Sequence, residues 1–128
     1  MLRRHNPQTI CPSNAYSHGV EIPPGARILY LAGQIGRAPD GSIPETFAGQ
    51  VDIAWRNLLE VLASAGMGVA DLVKVNEYLT RPEDIVACRA KRAAMYGEHR
   101  PATTLSVVQQ LAYPHLLIEI DAVAARSA

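Results

Sequence analysis

The first places to look for metal or nucleophilic chemistry are the histidines at positions 5, 18, 99 and 115 and the two cysteines, Cys11 and Cys88. Their spacing argues against both. No two histidines stand at the i, i+4 interval that puts two imidazoles on one helix face, and there is no C-x-x-C pair, so no metal site is expected. Ser17 directly precedes His18, but neighbours on a strand point to opposite faces and a G-x-S-x-G elbow is absent. The run Gly33, Gln34, Ile35, Gly36 lacks the lysine with which a phosphate loop neutralises charge.

The charged residues offer more. Arg89, Lys91 and Arg92 read most simply as a solvated helix face. Arg89 has a second reading, because it lies four residues after Ile85 and beside Cys88, at the margin of a buried stripe. From there its guanidinium can reach a cleft while its stem packs. Arg92 and Tyr96 continue that edge. Glu119 and Asp121 share one strand face, ordinarily as two solvated carboxylates; in a cleft, one of them could orient water. The segment from Arg100 to Thr104, which enters a β-branched strand after a helix stop, is where function is to be decided.

These residues need elements to position them. Ile28 to Leu31, preceded by Pro23, Pro24 and Gly25, reads as a buried strand entered from a turn, with a loop from Gly36 to Gly41. From Pro44, the residues Phe47, Val51, Ala54, Leu58, Leu62 and Ala65 recur at helical spacing, and Gly66 stands where the helix should stop. Leu72 to Leu79 alternates as a half-buried strand, although Glu77 interrupts its apolar face. A second helix is expected from about Pro82 to Tyr96, with Glu83 and Asp84 at its positive end and Gly97 ending it. Thr103 to Val108 and Leu116 to Ala124 read as two late strands. This order predicts an α+β domain, a mixed sheet with both helices on one face. Its other face would be left for copies of the same chain to cover.

Composition bounds the function. The chain has 128 residues, 48% hydrophobic and 19% charged, which suits one domain spanning 1–128. Basic and acidic residues balance at 12 each, so no general attraction to nucleic acid or anionic membrane is expected. Two unpaired cysteines suit a cytoplasmic setting, and no apolar stretch signals export or membrane insertion.

Six segments, taken in order, resemble the reactive-intermediate deaminase family, also called RidA or YjgF. Ala15 to Val20 corresponds to the family's P-Y-S-Q-A/G-V, and Leu31 to Ile35 to its V-S-G-Q-I. Leu58 to Gly66 and Val73 to Thr80 correspond to N-L-x-x-V-L-x-x-A-G and V-V-K-V-x-x-F-L-T. Pro101 and Ala102, with Ile118 to Ala124, correspond to P-A-R-S and I-E-I-E-A-I-A. The resemblance implies a chorismate-mutase-like fold, a homotrimer with clefts between subunits, and no cofactor. It also implies hydrolysis of 2-enamine and 2-imino acids to 2-oxo acids and ammonia. In that scheme an arginine grips the substrate carboxylate, an early tyrosine lines the cleft and a late glutamate positions water.

Position by position, the pattern keeps Tyr16, Gly33 and Gln34. It departs at Thr103, which stands in place of the carboxylate-binding arginine, at Ala32 and at Asp121, which replaces the glutamate. Arg89 stands where the family often has asparagine. A threonine hydroxyl cannot replace a charged two-pronged fork. Arg89 is therefore expected as the relocated anion anchor, with Arg100 as an outside candidate. Tyr16, Gly33, Thr103 and Leu105 would complete the ligand site, and Asp121 would orient water. Two readings stand: a cleft that binds a small anionic metabolite without turnover, and a cofactor-free enamine or imine deaminase (a hydrolase) of altered specificity.

Overall fold

The computed structural model describes residues 1–128. A short antiparallel pair, β1 (Arg3–His5) and β2 (Gly19–Glu21), precedes a four-stranded sheet. That sheet comprises β3 (Arg27–Ile35), β4 (Leu72–Leu79), β5 (Ala102–Val107) and β6 (Ile118–Arg126), in spatial order β3-β6-β4-β5. Its β4–β5 pair is parallel and the others antiparallel, so the sheet is mixed as expected. Two helices, α1 (Phe47–Ser64) and α2 (Ile85–Tyr96), supply the other layer.

The apolar stripe of α1 is the one the spacing predicts: Phe47, Val51, Ala54, Leu58 and Leu62 are all buried. The helix begins three residues later than Pro44 because Thr46 caps it, its hydroxyl accepting from the Gly49 amide at 3.1 Å. Gly66, at φ 71°, follows its end. Pro82 to Asp84 forms a 3-10 turn ahead of α2. Gly97 closes α2 at φ 59° and ψ −121°, a conformation open in practice only to glycine.

Alternation along β4 and β6 separates the faces. Val75, Leu79, Ile118, Ile120, Ala122 and Ala124 join the core beneath the helices. Asn76, Tyr78, Glu119 and Asp121 lie on the opposite, uncovered face. The run Ile28–Leu31 departs from the expectation of a wholly buried strand. Leu31 is buried, but Ile28 and Tyr30 are 48% and 77% exposed, because β3 has helices on only one side.

Two devices tie the sheet to α1. Gln50 is fully buried; its Nε2 donates to the carbonyls of Pro44 (2.9 Å) and His115 (3.1 Å), and its Oε1 accepts from the Leu117 amide at 2.8 Å. Gly36, at the end of β3, passes so close to the helix that an added Cβ would lie 2.5 Å from Gln50 Cα. Trp55 and Tyr96 meet edge to face, with centroids 6.0 Å apart, and join α1 to α2.

Candidate functional site

A cavity of about 840 Å³ opens at the β5 edge of the sheet on its helix side, and Tyr16, Arg89, Arg92, Arg100, Thr103 and Leu105 are among its walls. Three elements converge there. Strand β5 contributes Thr103 and Leu105, the middle turns of α2 contribute Arg89 and Arg92, and the extended segment before β2 contributes Tyr16. That segment is clipped to the strand in two places. The Ser17 amide donates to the Pro101 carbonyl at 3.3 Å, and the Arg100 Nε donates to the Asn14 carbonyl at 2.7 Å.

Arg89 is exposed and makes no hydrogen bond or ion pair within the chain, so its fork is free. The Nη1 of Arg100 is committed to the carbonyls of Gly97 (2.6 Å) and His99 (2.9 Å), which leaves Nη2 without a protein partner and no carboxylate against its charge. Arg92 differs. Its side chain is 7% exposed, and its Nε and Nη2 lie 2.9 and 2.8 Å from Oε1 of the fully buried Glu77. The Cys88 thiol donates to the other carboxylate oxygen at 3.4 Å.

Burial pushes the Glu77 carboxyl above its ordinary range, while Arg92 and Cys88 pull it back. Burial also opposes the Arg92 charge, but the Glu77 carboxylate outweighs it and raises the guanidinium. The two tendencies pull the shared proton in opposite directions. A guanidinium keeps its proton in proteins, so the charged pair is the state that fits the 2.8 Å contact. Burial, followed by the Glu77 charge, drives the Cys88 thiol far above its usual value and removes it as a nucleophile.

Thr103 bonds within the chain. Its hydroxyl lies 3.1 Å from the Pro101 carbonyl, to which it can donate, and 2.8 Å from the Tyr96 hydroxyl, where either oxygen can be the donor. The hydroxyl expected to meet an anion thus also bonds Tyr96 and Pro101 within the chain.

Tyr16, Arg89, Thr103 and Leu105 thus come together, with Arg100 beside them. Gly33 and Asp121 do not join them within one chain. Gly33 lies on β3, the other edge strand, where an added Cβ would collide with the Glu119 carboxylate. Asp121 sits on the uncovered sheet face and accepts from Asn76 Nδ2 at 2.7 Å. Tyr78, on the same face, has its hydroxyl pushed up, first by desolvation and then by its bond to Asp121. The Glu77–Arg92 pair was not anticipated, although the charge interrupting the apolar face of β4 was its visible sign.

No three His, Cys, Asp or Glu side chains gather as a metal set, and no helix is long and apolar enough to cross a membrane. A second concavity of about 440 Å³ lies between the two chain ends, beside His99 and the Arg126–Asp71 pair, whose atoms stand 3.6 Å apart. It contains none of the predicted residues.

Comparison with known proteins gives one consistent result. The family model described as endoribonuclease L-PSP matches residues 6–126. The crystal structure of YyfB from Yersinia pestis, a protein of the conserved Rid family, superposes with a TM-score of 0.88 at 36% identity over 98% of each chain. The RutC family protein PH0854 of Pyrococcus horikoshii is 31% identical over 117 residues, 88% of each chain. The 2-iminobutanoate/2-iminopropanoate deaminase of Escherichia coli K12 is 29% identical over 129 residues, 93% of this chain and 98% of that one.

Proposed function

We propose, from the premise that this chain belongs to the RidA/YjgF family, the family described as endoribonuclease L-PSP, that it binds a small anionic metabolite in a cleft between the subunits of a homotrimer. The observation that carries the reading is the free Arg89 fork in one cavity with Tyr16 and Leu105, beside a Thr103 bonded within the chain. An arginine is the best side chain for a planar carboxylate, and this one is uncommitted.

The uncovered sheet face supports assembly. Ile28 and Tyr30 are exposed on it, and β3 and β5 are both edge strands. A neighbouring subunit that brings its β3 edge to the β5 edge would carry Gly33 to the cleft. Asp121 would come from the face buried between copies.

The second reading is that the cleft turns over enamine or imine acids. The similarity to a protein named a deaminase favours it. Water would add to the imine carbon, the C–N bond would break and the nitrogen would leave as ammonia, with Asp121 orienting the water. Holding the acid in place supplies much of what so easy a hydrolysis needs.

Calorimetric titration with 2-oxobutyrate tests the binding reading. Arg89→Ala should weaken affinity by about tenfold or more, the value of one charge-assisted bond, and unchanged affinity refutes it. Ammonia release from freshly generated 2-iminobutyrate separates the two readings. Turnover that Arg89→Ala abolishes makes the protein a deaminase. A silent wild type whose Thr103→Arg variant gains turnover makes it a binder that lacks only the strand fork.

A further inference from the structure

The charges around the cavity do not cancel. Of its three arginines, Arg92 is paired with the buried Glu77, whereas Arg89 and Arg100 make no ion pair, and no acidic residue lines the walls. The cavity walls themselves carry two positive charges outside any ion pair, and Lys74, bonded to the wall residue Thr104 at 2.6 Å, stands behind them. They stand on different elements, Arg89 in the middle of α2 and Arg100 just before β5, and each has at least one free N–H group. The α2 turns at the cavity wall are interior ones, from Arg89 to Ala93, so no helix N-terminus is offered to cradle a phosphate.

We infer that the ligand is a dicarboxylate, a 2-oxo or 2-imino acid with a second carboxylate at its far end. Arg89 takes the carboxylate beside the reactive carbon, and Arg100 Nη2 takes the distal one. This rests on the anion-binding reading above and specifies its substrate class. Arg92, neutralised by Glu77, contributes a donor without adding charge. A monocarboxylate would leave one guanidinium without an anionic partner in the cleft. Two anionic groups match the two free charges. A cavity of about 840 Å³ has room for such an acid together with water.

The test compares three probes by calorimetry at low ionic strength: 2-oxoglutarate, 2-oxopentanoate and inorganic phosphate. The two acids share a five-carbon chain and differ in the second carboxylate. The inference predicts that 2-oxoglutarate binds at least about tenfold tighter than 2-oxopentanoate, and that Arg100→Gln removes the difference. Arg100 also ties Asn14 to the α2–β5 loop, so its variant can fail to fold. Ala93→Glu, at an exposed wall position, is the second variant. It adds a negative charge and should erode the preference, whereas Ala93→Gln should keep it.

Equal affinity for the two acids, still lost in Arg89→Ala, overturns the dicarboxylate inference and leaves the anion cleft standing. Phosphate binding as tightly as 2-oxoglutarate overturns it too, in favour of a phosphate site. Wild-type protein that binds neither acid overturns both this inference and the reading beneath it.

Discussion

Replacing Arg92 with methionine keeps the bulk of the side chain and removes its charge, which strands Glu77. That carboxyl is fully buried, and in the native protein its only other partner is the Cys88 thiol. At pH 7 the cheapest escape is to take up a proton. Against an ordinary value of 4.5, protonation at pH 7 costs about 2.5 units, or about 3.4 kcal/mol. That agrees with the range of about 3–5 kcal/mol for breaking a buried pair by removing one partner. For a domain whose whole stability is about 5–15 kcal/mol, the loss is large.

The same reasoning fixes the pH dependence. In Arg92→Met the folded-state pKa of Glu77 lies far above its unfolded value, so proton uptake favours the fold below 4.5 and this contribution is lost as pH rises toward the folded value. The deficit relative to wild type should therefore grow with pH, by up to about 1.36 kcal/mol per unit once pH passes the wild-type Glu77 value, toward an upper limit of about 3.4 kcal/mol at pH 7. Urea unfolding at one fixed protein concentration measures it, since self-association would make stability depend on concentration. The double variant Glu77→Gln with Arg92→Met, which removes the stranded charge, should recover at least half the loss. A deficit below about 1 kcal/mol at pH 7, or one that is the same at pH 5 and 7, refutes the ion-pair account.

Two further outcomes follow from the packing. Gln50→Leu deprives the Pro44 and His115 carbonyls and the Leu117 amide of their buried partner, and should lower stability by about 3 kcal/mol with an unchanged urea slope. A midpoint within error of wild type would show that water replaces the amide without loss. A thiol-alkylating reagent should modify one cysteine per native chain, the exposed Cys11, and reach Cys88 only on unfolding. Two labels at similar rates would contradict the buried placement of Cys88.

Local patterns carried most of the fold to the level of elements. The stripe of α1, the alternation of β4 and the stops at Gly66 and Gly97 all depend on residues close together in sequence, and each reappears in the structure. Ile28 and Tyr30 misled, because a short apolar run reads the same whether one face of its strand is covered or two. Within the site, Tyr16, Arg89, Thr103 and Leu105 were legible one by one. Their convergence depends on the parallel pairing of β4 with β5 and on the clip from Ser17 to Pro101, contacts that no local pattern encodes. The partnership of Glu77 with Arg92, fifteen residues apart on a strand and a helix, was hidden in the same way.

A threonine in place of a strand arginine need not mean an empty or inert cleft. At position 103 an arginine would have added a third uncompensated charge to a wall already lined by Arg89, Arg92 and Arg100. Thr103 instead bonds both the Pro101 carbonyl and the Tyr96 hydroxyl, which ties β5 to α2 at the junction from which Arg92 and Arg100 project. The unpaired positive charges of this wall sit on the helix, at Arg89, and in the turn before the strand, at Arg100. On the dicarboxylate proposal, a ligand held from those two directions would lie differently from one gripped by the strand, with its reactive carbon placed by Arg89 and Arg100 together. That is why exchanging the second carboxylate of the ligand discriminates more sharply than deleting any single side chain: it tests the charge pattern while leaving the protein's own packing untouched.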